Sequence, residues 1–377
     1  VKAAVLSREI RRRHGWCEVL VHTGQHYDEN MSDVFFEELE IPAPDVHLGI
    51  GSGSHGQQTG RMLEAIERVL FDTRPDWVLV FGDTNSTLSG ALAAAKVHIP
   101  VAHVESGLRS FNRKMPEETN RVLTDHLSTL LFAPTVVAVA NLQREGINDN
   151  QIRLVGDVMC DAILHYRHLA LRRSSVLRRL QIEPKQFVLA TIHRAENTDV
   201  QRRLTAIVDG LCQVAQLLTV VFPVHPRTRA ALQKFGLWQA VTQSLAVIEP
   251  VGYLDMVMLE SNARQIITDS GGLQKEAFFC RTPCITLRDE TEWGELVDLG
   301  WNQLLSPMDD ARFAEKLVSA VQHDELPDSS ASPYGTGDAC RRICDALDLA
   351  DPPKPPGAVP ERVLTSTATV ARHHRIC

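Results

Sequence analysis

The chain has 377 residues, 44% of them hydrophobic, and a formal net charge of −8. That length allows two domains with separate cores, and the negative balance excludes a general binder of nucleic acid or anionic membrane, so an anionic ligand needs a local positive site. No run approaches the ~18 apolar residues that span a bilayer and the N-terminus carries no signal-peptide core, so a cytoplasmic protein is expected. Short apolar runs at Glu18–Val21, Trp77–Phe81 and Pro100–Val104 predict strands buried on both faces, each followed by a helical pattern. The same grammar returns at Phe187–Ala190, Thr219–Phe222, Leu245–Ile248, Gln265–Ile267 and Pro283–Thr286. Between the two sets, the Arg-rich stretch Leu169–Lys185 reads as a helix and a linker. The predicted division is residues 1–170, residues 171–350, and a disordered tail at 351–377 whose Pro-Pro-Lys-Pro-Pro-Gly run cannot bury enough apolar surface to fold. The expected fold class is α/β, with two doubly wound parallel sheets facing a cleft lined by the carboxyl ends of their strands. The eight cysteines show no CxxC spacing and read as buried thiols, not as disulfides or zinc ligands.

The most informative run is Gln265–Glu276, where a buried strand ends in Ser270-Gly271-Gly272 just as a helix begins. Glycines let a diphosphate approach the backbone, and the unpaired N–H groups and dipole of the helix start offset its charge. Glu276, one turn in, leans back toward that start and is placed to reach ribose hydroxyls. The same three residues also suit a plain strand-to-helix turn. Ionisable groups mark other strand ends: Asp83 after Trp77–Gly82, Glu105 after Pro100–Val104, and His193 after Phe187–Ile192. Asp83 reads either as the N-cap of the helix that follows or as a site carboxylate. Glu117, behind Arg113-Lys114-Met115-Pro116, sits where a helix dipole favours an acid whatever its role. His193 is positioned for acid or base chemistry near neutral pH, or for a structural hydrogen bond. His103, inside a strand, reads as a core histidine, and Tyr253 either flanks a uracil ring or packs.

Together these pieces resemble the non-hydrolysing UDP-N-acetylglucosamine 2-epimerase family. The matching runs are Thr23-Gly24-Gln25-His26, Gly82-Asp83-Thr84, His103–Arg109, Pro116-Glu117-Glu118, Thr191–Asn197, Pro223–Pro226, Asp269–Glu276 and Arg288-Asp289. The resemblance implies a GT-B architecture of two Rossmann-like domains and C2 epimerisation through elimination and re-addition of UDP. It also implies a homodimer, a UDP-sugar as the partner, and no cofactor or metal. By it Asp83, Glu105, Glu117 and His193 are the catalytic residues, and Ser270, Gly271, Gly272, Glu276 and Lys2 hold UDP.

Two departures from the family pattern shape further expectations. Family members carry a strand and a Gly-Thr-Arg-Pro-Glu run ahead of the segment resembling Val1–Val5, and neither stands in this sequence. A gap in the middle of the first sheet, with unpaired ladder groups and one cation fewer at the diphosphate, is therefore expected. No Arg stands in Ser54–Gln58, where substrate-activated bacterial members carry an Arg-Gln pair, so such activation is not expected. Ser52–Met62, Leu108–Glu118 and Glu290–Gly300 resemble a branch that includes epimerases of UDP-2,3-diacetamido-glucuronic acid, whose C6 carboxylate would need Arg109, Arg113, Lys114 or Arg194. A GT-B glycosyltransferase and an inactive UDP-sugar binder are the alternatives outside epimerisation.

Overall fold

The computed structural model describes residues 1–25, 39–40, 43–308, 312–323, 326–328, 330–350, 362–366 and 371–372. They fall into two compact units, Val1–Ala162 with Ser332–Cys377 and Ile163–Ala331.

In the first unit a parallel sheet is built from β1 (Glu18–His22), β2 (Val46–His47), β3 (Trp77–Phe81), β4 (Val101–Val104), β5 (Leu130–Ala133) and β6 (Ile152–Leu154). Every residue of β3, β4 and β5 is buried, because helices cover both faces of a parallel sheet and leave no polar side. Helix Asn85–Lys96 follows β3, and its small residues Ala91, Ala93 and Ala94 let it lie close on helix His55–Thr73. Met62, Ile66 and Leu70 of that second helix fill the layer against Val78, Val80 and Val101.

The second unit holds β7 (Phe187–Thr191), β8 (Thr219–Pro223), β9 (Ala246–Ile248), β10 (Gln265–Thr268), β11 (Cys284–Thr286) and β12 (Asn302–Leu304). All are parallel, in the order β12-β11-β10-β7-β8-β9. The chain winds outward from β7 in one direction and from β10 in the other, so the switch point lies between those two strands, with Thr191 opposite Thr268 at their carboxyl ends.

The boundaries differ from those expected. The change of unit falls inside helix Val158–Arg173, at Ala162, not in a linker after 170. After Ala331 the chain rejoins the first unit. There helix Ala339–Leu349 meets helix Lys2–Arg12, with Arg13 paired to Asp345 at 2.7 Å and to Asp348 at 3.2 Å. Asp161 accepts from the N–H groups of Ala339 and Cys340 at the start of the last helix. The tail expected to be disordered contributes β13 (Arg362–Ser366) and β14 (Ala371–Arg372). β13 runs parallel to β1 and β3 and pairs with both, so the gap expected in the middle of the first sheet is occupied. A parallel ladder asks only for an extended backbone of the right direction, and Arg-Val-Leu-Thr-Ser, with its β-branched and apolar members, can supply one.

The seven described cysteines are free thiols. Among the described residues no helix is long and apolar enough to cross a membrane.

Candidate functional site

In the first unit the carboxylates stand at neighbouring strand ends. Thr84, not Asp83, caps helix Asn85–Lys96: its hydroxyl accepts from Thr87 N–H, and the Thr87 hydroxyl accepts from Thr84 N–H in return. Asp83, released from capping, accepts from Arg121 through Oδ2 at 2.5 Å and keeps a partly exposed carboxylate. Glu105 follows β4 in the left-handed region, φ +67°, which costs a residue with a side chain on the order of 1 kcal/mol. Its carboxylate is almost fully buried, and Lys2 Nζ donates to Oε2 at 2.5 Å. Lys2, expected at the diphosphate, is thus engaged with a carboxylate of its own unit.

Glu117 and Glu118 divide their work. Pro116 sets the first turn of helix Pro116–Leu127, and Glu117 is exposed there, its carboxylate without a hydrogen bond or ion pair to a described residue. Glu118 is buried and accepts from the N–H groups of Ser110 and Phe111, both at 2.9 Å, and from Arg121 at 2.8 Å. Burial pushes the Glu118 carboxyl up, but those donors outweigh it and hold it below the ordinary value. His103 is the satisfied core histidine expected, with Nδ1 against Asp125 and Nε2 against the Gly82 carbonyl, each at 2.7 Å. Arg109 is also structural: its side chain is buried, paired to Asp125 at 2.7 Å and forked onto Glu145 at 2.7 Å. It is therefore corrected from a candidate for a substrate carboxylate to a lock between Asp125 and Glu145, whereas Arg113 and Lys114 remain exposed. His26 lies outside the described residues.

In the second unit the switch point brings His193 and the Ser270 turn together. Asp269, fully buried, accepts from His193 N–H at 3.1 Å, Arg194 N–H at 3.0 Å and Asn197 Nδ2 at 3.1 Å, stitching the loop after β7 to the end of β10. Its Oδ1 also lies 3.3 Å from His193 Nδ1. Burial lowers the His193 pKa, with Asp269 pulling the other way, so the imidazole is neutral at pH 7. His193, His225, Met256, Ser270 and Leu273 line a cavity of about 210 Å³. Ser270 caps helix Gly271–Phe279 by accepting from Leu273 N–H. Gly272 is exposed, with open space where a Cβ would stand, whereas a Cβ on Gly271 would collide with Glu292 Oε1. Glu292 is held by Arg288 at 2.8 Å, and Arg194 lies close to Gly271, so two arginines flank the turn. An anion arriving at this helix start meets open backbone at Gly272 and the two arginines, with the Glu292 carboxylate standing against Gly271.

Glu276 sits in the second turn of that helix and accepts from Tyr253 Oη at 3.2 Å. Tyr253, weighed as a flank for uracil, is buried and packs edge-on to Tyr166. The residues not singled out from sequence are Asp125, Asp269, Glu118, Arg121 and Glu292. Asp269 alone carried a signal, an acid at a strand end beside the Ser-Gly-Gly turn; the others act through partners distant in the chain. Among the described residues no three His, Cys, Asp or Glu side chains are grouped to hold a metal ion.

Comparison with known proteins identifies relatives along nearly the whole chain. The family profile described as UDP-N-acetylglucosamine 2-epimerase matches residues 8–348. A Methanococcus maripaludis protein described as a UDP-N-acetylglucosamine 2-epimerase homolog is 53% identical over 351 residues, 92% of this chain and 96% of that protein. The UDP-2,3-diacetamido-2,3-dideoxy-D-glucuronate 2-epimerase of Pseudomonas aeruginosa is 48% identical over 350 residues, again 92% and 96%. The crystal structure of Methanocaldococcus jannaschii UDP-GlcNAc 2-epimerase, in complex with UDP-GlcNAc and UDP, is 45% identical and superposes with a TM-score of 0.80, covering 93% of this chain and 96% of that one. The two units of this protein, each built on a mainly parallel sheet, have the GT-B-like α/β fold, and the chain belongs to the UDP-N-acetylglucosamine 2-epimerase family.

Proposed function

We propose that the protein interconverts UDP-N-acetylglucosamine and UDP-N-acetylmannosamine by anti elimination of UDP and re-addition through a 2-acetamidoglucal. The observation that carries this reading is a division of labour. Thr84, Glu118 and Asp269 do the capping and loop-holding at three of the strand ends and helix starts, leaving Asp83, Glu117 and the His193 side chain available for chemistry.

C2–H is not next to a carbonyl and becomes acidic only as the C1–O bond breaks. A carboxylate takes the C2 proton, the C–H pair becomes the C1=C2 bond, and the C1–O pair leaves with UDP. In the return step UDP oxygen attacks C1 while a proton reaches C2 from the other face. Asp83, Glu105 and Glu117 share the base, acid and cation-stabilising work, and Lys2 keeps Glu105 in place. Ser270, Gly271 and Gly272 take the diphosphate, Glu276 the ribose, and neutral His193 donates to the departing phosphate.

Incubation with UDP-N-acetylglucosamine in deuterated water tests this by proton NMR. UDP-N-acetylmannosamine carrying deuterium at C2 is expected, and release of UDP with no deuterium at C2 would overturn it. Asp83→Asn and Glu117→Gln should each lower turnover by about 100-fold or more and leave UDP affinity unchanged. A second substrate reading follows from the relative acting on the diacetamido-glucuronate. Its identity to this chain is 48%, the same as that of a Methanocaldococcus jannaschii UDP-N-acetylglucosamine 2-epimerase. With Arg109 committed, exposed Arg113 and Lys114 are the cations for a C6 carboxylate. Turnover of that substrate alone would decide for it.

A further inference from the structure

Against the far end of the helix that follows Ser270 lies an acid that the proposed reaction does not use. Glu260, on helix Tyr253–Asn262, is fully buried; its Oε2 accepts a long contact from Cys280 Sγ at 3.9 Å, and its Oε1 has no hydrogen-bond partner among the described residues. Burial, reinforced by the nearby charge of Glu276, raises its carboxyl well above the ordinary range. Glu276, half-buried one helix away, is the acid of the two that reaches solvent. Between them, Tyr253 is clamped by its ring. It opens its helix and meets Tyr166 at a centroid distance of 5.4 Å and an interplanar angle of 90°. Its hydroxyl is thereby aimed at Glu276 Oε1, 3.2 Å away. Burial first, and then the neighbouring Glu276 and Glu260, keep that phenol protonated, so it remains a donor at every working pH.

We infer that Tyr253 is a positioning residue for nucleotide recognition: by donating to Glu276 Oε1 it fixes the carboxylate so that Oε2 accepts from the ribose hydroxyls. A carboxylate at the end of a glutamate has three rotatable bonds, and holding one oxygen in place removes the ordering cost that binding would otherwise carry. The inference rests on the reading that Glu276 meets the ribose.

Calorimetric titration of the full chain with UDP and with 2′,3′-dideoxy-UDP separates the two. The wild-type protein should prefer UDP, and Tyr253→Phe should weaken UDP by about 10-fold, the scale of a hydrogen bond to a charged group, while leaving the dideoxy compound unchanged. In a Glu276→Ala background the same substitution should have no effect on either ligand. Equal weakening of both ligands, or an unchanged preference for UDP, would overturn the role of Tyr253 and leave Glu276 at the ribose. Absence of a preference in the wild-type protein would remove Glu276 from the ribose, and the inference with it. A second measurement keeps the hydroxyl: with only four tyrosines in the chain, a ring-carbon NMR signal of Tyr253 can be assigned. It should move when UDP binds and stay when 2′,3′-dideoxy-UDP binds; equal shifts would sink the idea.

Discussion

Adjacent residues of like chemistry carry different loads here, and Glu117 and Glu118 show it most directly. Glu118 is held by two backbone N–H groups and Arg121, so Glu118→Gln should cost about 1–3 kcal/mol of stability in a denaturant titration. Because its folded pKa is depressed, its contribution is present above the unfolded carboxyl value and is lost as pH falls through the folded one. Glu117→Gln should leave the same titration within about 0.5 kcal/mol, as surface changes do, while turnover falls. Equal destabilisation by both would erase the distinction. His193 moves stability in the same direction at a higher pH, although its neutral form is the one the fold favours. Its folded pKa is lowered, chiefly by burial, so below the unfolded value of about 6.5 the unfolded chain binds the proton first. Stability should fall as pH drops from there to the folded pKa and then level off. NMR titration of the imidazole should give a midpoint below 6.5; one at or above that value would contradict the burial argument.

At the level of elements, the strands that were legible in the sequence are those buried on both faces, such as Trp77–Phe81 and Gln265–Thr268, where an unbroken apolar run has no other comfortable home. Two- and three-residue strands such as Val46–His47 and Asn302–Leu304 carry too few residues for a period to show. The Ser270 turn was legible because glycines at a strand-to-helix junction have few uses. The work of Asp125 was not: it ties His103, Gly107 and Arg109 together across the fold, and only the fold brings them near. Gly107 tests how tightly that junction is drawn. It has φ +78°, and a Cβ there would run into the Ala138 carbonyl of the helix beginning at Val136. Gly146 has φ +84° with open space around it. Gly146→Ala should therefore cost only the left-handed penalty of about 1–2 kcal/mol, and Gly107→Ala at least ~3 kcal/mol. Similar losses in thermal unfolding would mean that the approach of helix to turn can relax.

For the whole molecule the decisive feature is the route of the chain, which leaves the first unit at Ala162 and returns at Ser332. Composition marked the Pro-rich stretch after Asp351 as unable to fold by itself. It could not show that a few residues beyond it pair in an existing sheet, because a strand added to a preformed ladder needs no core of its own. β13 joins β1 through Val19↔Leu364 and β3 through Leu364↔Val78, so it stands between the amino-terminal strand pair and the remainder of the sheet. Ending the chain at Ala350 would turn β1 and β3 into facing edges with unpaired N–H and C=O groups. Hydrogen exchange of this shortened chain should then show lost protection at Val19–Val21 and Val78–Val80. Val188–Ala190 and Ile266–Thr268, which pair only within the second unit, should keep theirs. Unchanged protection in β1 and β3 would mean that their ladder closes without β13. Loss in both units at once would show that the added strand supports the folding of the whole chain and not of one sheet.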